Sequence, residues 1–136
     1  MPGERRRART VAFKALCEAS SAQHDAAATL QHLLEGTRLS VDNAAFAGHL
    51  VQGVIEHRNE IDEHVRRFAP AWPLEQMAVV DLSILRLAIL EILLDNRVPR
   101  KVAINEAVEL AKRFGSDGSS KFVNGVLGAA SALAGN

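Results

Sequence analysis

Apolar residues return along most of this chain at i, i+3, i+4 and i+7, the spacing that lays one buried stripe along an α-helix. Ala8, Val11, Ala12, Ala15, Leu16 and Ala19 make the first stripe and predict a helix over about residues 4–22, with charged residues leading it. A second helix is expected over about 25–35, capped by Asp25, with Leu30, Leu33 and Leu34 on one side and Gly36 stopping it in a left-handed conformation. The third, over about 41–57, starts near Ser40 or Asp42 and aligns Phe46, Leu50, Val51, Val54 and Ile55. Asn59 is placed to cap a fourth, which turns Ile61, Val65 and Phe68 inward and breaks at Pro70 and Pro73. Pro73 equally suits the first turn of the next helix.

That fifth helix, over about 75–95, scatters Asp81, Ser83, Arg86 and Glu91 around its circumference and so has no solvent face, the pattern of a helix surrounded by others. A turn around Asn96 and Pro99 leads to a sixth helix, about 101–114, with Ile104, Ala107, Val108 and Ala111 facing in and Gly115 ending it. The last, about 121–134, aligns Val123, Val126, Leu127, Ala130 and Leu133. Gly125 and Gly128 inside it each cost roughly 1 kcal/mol against Ala, so a close approach by another backbone is expected to compensate. The pattern gives an all-α fold of about seven helices.

With 136 residues, 48% of them hydrophobic, the chain has the size and material of one domain, residues 1–136. Alanine is the most frequent residue and aromatic residues make up only 4%, which suits closely packed helices. The single Cys17 excludes an intramolecular disulfide or a thiolate metal cage and fits a reducing, cytoplasmic setting. Charges interrupt the apolar run from Met77 to Leu94, so no membrane span is expected, and no apolar signal segment follows the first arginines.

Net charge is zero, yet it is unevenly spread. The first fourteen residues hold Arg5, Arg6, Arg7, Arg9 and Lys14 against Glu4 alone, and the rest of the chain carries the matching acidic excess. Four guanidinium groups at the positive end of a helix, with Arg5 and Arg9 repelling at i,i+4, need a reason outside the helix. Arginine binds phosphate through several planar donors and stacks on unpaired bases, which makes RNA the natural candidate; a solvated terminus is the alternative. Arg86, set in the most apolar helix without a carboxylate at i±3 or i±4, calls for an ion pair with another helix.

Other chemistry finds no pattern. The Gly115–Lys121 stretch has glycines, hydroxyls and a lysine, but lacks the G-x-x-x-x-G-K-[ST] order after a strand and reads as a connection between helices. The five histidines, 24, 32, 49, 57 and 64, show no metal-ligand spacing, and no nucleophile–base motif accompanies Cys17. No enzyme activity, metal or cofactor is expected.

Three segments taken together resemble the NusB family of transcription antitermination factors. They are Arg5-Arg6-Arg7-Ala8-Arg9 followed by Ala15-Leu16; Ile84-Leu85-Arg86-Leu87-Ala88-Ile89; and the long run from Val98 to Lys112 with Lys121-Phe122-Val123-Asn124-Gly125-Val126-Leu127. Residues 20–75 share only the helical pattern. The resemblance implies two packed helical subdomains and a non-catalytic role. It implies pairing with the small-subunit ribosomal protein NusE and joint binding of single-stranded boxA RNA, with other Nus factors and RNA polymerase, in ribosomal RNA operons. Carried over by position, Arg5, Arg6, Arg7, Arg9, Lys121 and Phe122 become RNA-binding residues and Asp81 a partner contact. Where relatives often have Tyr and Trp after Ala-Leu, this chain has Cys17, Glu18, Ala19 and Ser20, which removes any aromatic contact from that helix.

Two rival readings stand beside it: a self-associating interaction module, since some relatives form homodimers, and a stand-alone relative of the RNA-binding domain of ribosomal RNA cytosine methyltransferases.

Overall fold

The computed structural model describes residues 3–22, 25–95 and 97–134, so His24 and Asn96, singled out above, lie outside the described residues. Among those described, seven α-helices and no strand occur: α1 (Glu4–Ala22), α2 (Ala26–Glu35), α3 (Val41–Glu56), α4 (Arg58–Phe68), α5 (Val79–Ile89), α6 (Arg100–Phe114) and α7 (Ser119–Ala134). They divide into two compact units, Met1–Glu56 and His57–Asn136. No helix among the described residues is long and apolar enough to cross a membrane.

In the first unit α1 packs on both α2 and α3, and these pack on each other. Every residue from Ala8 to Phe13 is buried, so α1 is enclosed there on all sides, Arg9 and Thr10 included. Asp25 caps α2 as its sequence indicates, its carboxylate accepting the Ala27 N–H at 2.9 Å. Gly36 ends the helix at φ −95°, not in the left-handed region; its N–H donates to the Leu33 carbonyl and the Thr37 N–H to the Leu34 carbonyl, each at 3.2 Å, which closes the last turn tightly in a conformation open to any residue. Ser40 caps α3 through the Asn43 N–H at 3.1 Å. Phe46, Leu50, Val51 and Val54 enter the core, whereas Ile55, expected with them, is 43% exposed.

The second unit is built around α5, which packs against α4, α6 and α7. Asn59 does not cap α4: the Ile61 N–H donates to the His57 carbonyl at 2.8 Å, so the helical ladder begins ahead of Asn59. The single helix expected over 75–95 is three pieces. A 3-10 turn, Leu74–Gln76, follows Pro73; Met77 and Ala78 are extended; α5 then runs to Ile89 and continues as a π-helical turn, Leu90–Asp95. No side chain caps α5 at Ala78. Its start, at the exposed Ala78 and Val79, therefore carries no local signal that periodicity could register. The all-round burial that periodicity did indicate is present, since every residue from Ser83 to Ile92 is buried.

Arg86 meets its expected partner on another helix. Its Nε and Nη2 donate to the two carboxylate oxygens of Asp62 in α4 at 2.8 and 3.0 Å, and Arg58 lies 3.5 Å from the same carboxylate. Arg100 at the start of α6 donates to the Ser131 carbonyl of α7 at 2.8 Å. Between these helices Gly115 ends α6 and Gly118 takes φ +91°, a turn suited to glycine. The expectation for Gly125 and Gly128 fails: a Cβ at either would meet nothing within 4 Å, so no neighbouring backbone compensates for them.

Candidate nucleic-acid interface

The basic segment forms the first turns of α1, and its residues have separate tasks. Glu4 accepts a hydrogen bond from the Ser40 N–H, and Arg7 donates to the Arg38 carbonyl; together they fasten α1 to the segment that enters α3. The Ser40 N–H holds the Glu4 carboxyl below its ordinary value, helped by the Ser40 and Asn43 side chains and the Arg7 charge, while desolvation acts in the opposite sense. Arg5 and Arg6 are exposed, Arg7 is half-buried and Arg9 is only 5% exposed. The guanidinium carbons of Arg5 and Arg9 stand 4.1 and 5.1 Å from the centroid of the Phe46 ring, in the range of cation–π attraction. The Thr10 hydroxyl donates back to the Arg6 carbonyl at 3.1 Å.

The other carried-over residues belong to the second unit. Lys121 is exposed in the first turn of α7, and the half-buried Phe122 meets Trp72 edge to face, with centroids 6.0 Å apart and planes at 74°. These two rings help line a cavity of about 240 Å³ with Met77, Asp81, Asp117 and Ser119. Asp81 is half-buried there, and its Oδ1 has no hydrogen-bond partner among the described residues. Two carboxylates beside two aromatic rings make a setting for a donor-rich or cationic group.

The profile of the NusB family matches residues 6–132. The chain is 47% identical over 131 residues to the transcription antitermination protein NusB of Dehalococcoides mccartyi, covering 96% of this chain and 92% of that protein. The chain belongs to the NusB family. Among solved structures, T. maritima NusB superposes with a TM-score of 0.89 at 35% identity, covering 97% of this chain and 93% of that one. A structure of the antitermination factors NusB and NusE in complex with double-stranded RNA has the same fold, with a TM-score of 0.88 at 24% identity, covering 98% and 99%.

Within this family member, the structure brings Arg5 and Arg9 together over one ring and Phe122 together with Asp81 around one cavity. Sequence reasoning missed both Phe46 and Trp72 as parts of these sites. Phe46 falls in an apolar stripe and reads as core, which it also is, at 8% exposure. Trp72 carries a signal in the sequence, as the only tryptophan of a chain poor in aromatics and set between two prolines, and the structure leaves it 55% exposed.

Proposed function

We propose that this chain is a non-catalytic, cytoplasmic antitermination factor that binds boxA-type single-stranded RNA jointly with the ribosomal protein NusE. In this reading it acts with other Nus factors and RNA polymerase to keep transcription of ribosomal RNA operons processive. The observation that carries it is the pair of exposed arginines, Arg5 and Arg6, just ahead of the enclosed stretch of α1 from Ala8 to Phe13 in a NusB-family chain. Exposed guanidinium groups neutralise phosphates, and phosphate contacts fix the position of the RNA without reading its bases. Arg7 contributes mainly by fastening the first turn of α1, and Arg9 by its charge. Lys121 offers a further phosphate contact, and Phe122 an aromatic ring for stacking an unpaired base. Asp81, beside Asp117, suits a basic side chain of the protein partner.

Fluorescence anisotropy of a labelled boxA RNA and a scrambled RNA, titrated with this chain alone and with NusE, tests the proposal. Tighter and sequence-selective binding in the presence of NusE is expected. Equal, weak binding to both RNAs under every condition overturns it.

A further inference from the structure

Arg5 and Arg9 are like charges one helical turn apart at the end of α1 where the helix dipole is already positive, an arrangement that disfavours itself. Both nevertheless lie over one aromatic ring from another helix, at 4.1 and 5.1 Å from its centroid. We propose that Phe46 is the positioning residue of the arginine cluster: the negative face of its ring offsets the repulsion between Arg5 and Arg9 and fixes where Arg5 offers its N–H donors to an RNA phosphate. The proposal rests on the RNA-binding reading above.

Three features of the geometry support it. Phe46 is 8% exposed in the core of the first unit, so its ring is a fixed platform and not a mobile one. The start of the helix that carries it is tied to α1, since Ser40 bonds to Glu4 and the Arg38 carbonyl to Arg7. A ring face engages the guanidinium charge without taking up an N–H donor, which leaves the donors for an anion. Arg9, 5% exposed, adds positive potential at the same ring, while the exposed Arg5 makes the contact.

The test compares Phe46→Leu, which keeps an apolar side chain of similar bulk but removes the ring, with Phe46→Tyr, which keeps the ring. A fluorescein-labelled boxA RNA with NusE present is titrated over a range of salt concentrations. F46L should weaken binding by about threefold to tenfold and make the salt dependence shallower, and F46Y should restore both. In an Arg5→Ala, Arg9→Ala background the F46L change should add nothing, because the contact through which Phe46 acts is gone. In the RNA-free protein, the Arg5 and Arg9 Hε resonances should be displaced by the ring current and released in F46L. Thermal melts accompany each variant, and Phe46→Met, which fills irregular space, replaces F46L if the latter is unfolded at the assay temperature. Wild-type binding with unchanged F46L affinity and slope overturns the role of Phe46 alone, as does an F46L loss of the same size in the arginine-free background. Failure of the wild type to bind RNA brings down the RNA reading and this proposal together.

Discussion

Asp62 and Arg86 are 9% and 7% exposed, so the Arg86 charge depends on Asp62 for what water would otherwise provide. The two-bond geometry, at 2.8 and 3.0 Å, satisfies the guanidinium where it is buried. Removing the carboxylate leaves the buried guanidinium stranded, and Asp62→Ala should lower stability by about 3–5 kcal/mol in urea denaturation. Replacing both, Asp62→Leu with Arg86→Met, should recover most of that loss, because two packed apolar side chains need no solvation. Glu4 gives a pH-dependent counterpart. Its folded-state pKa lies below the ordinary value of 4.5, so its contribution is fully present above that value and is lost as pH falls through the folded-state pKa. Glu4→Gln should therefore lower the melting temperature at neutral pH, and the difference from wild type should vanish in acid.

At the scale of elements, glycines distinguish connections from open helix surface. A Cβ on Gly115 would stand 2.5 Å from the Ser119 Cβ and 2.7 Å from the Ala111 carbonyl oxygen, contacts that helix–helix packing cannot relieve cheaply. Gly125 and Gly128 meet nothing, so alanine there should add helix propensity, about 1 kcal/mol each, without strain. Opposite shifts in thermal midpoint for Gly115→Ala and for Gly125→Ala or Gly128→Ala would check this; destabilisation by the latter pair would mean that those glycines serve something other than packing. The same elements show what could be read in the chain. α1, α2, α3, α6 and α7 were legible to within a residue or two because their stripes end at capping residues or at prolines and glycines. The start of α5 was not, since Ala78 provides no side-chain cap, and the π-helical turn at its end leaves no local signature. In the candidate site, the basic residues could be read as a cluster. Their division into exposed Arg5 and Arg6, fastened Arg7 and buried Arg9 could not, because it depends on which face of α1 meets α3.

For the whole molecule, zero net charge hides a basic end set against an acidic remainder. A uniformly neutral protein would have little salt-dependent attraction to a polyanion, whereas a polarised one concentrates it at one end. If about four phosphates are neutralised on single-stranded RNA, log affinity should fall against log salt with a slope of roughly −3. Arg5→Ala with Arg6→Ala should flatten that slope, measured by anisotropy between low and moderate salt; an unchanged slope would remove these residues from the RNA contact.

The enclosure of α1 from Ala8 to Phe13 has a thermodynamic meaning for the arginines just ahead of it. The rod that presents them is also a central support of its unit, so their backbone is ordered when the chain folds and not when a ligand arrives. Association then carries little of the entropy penalty that a disordered basic arm incurs on binding, and the free energy of each phosphate contact goes more fully into affinity.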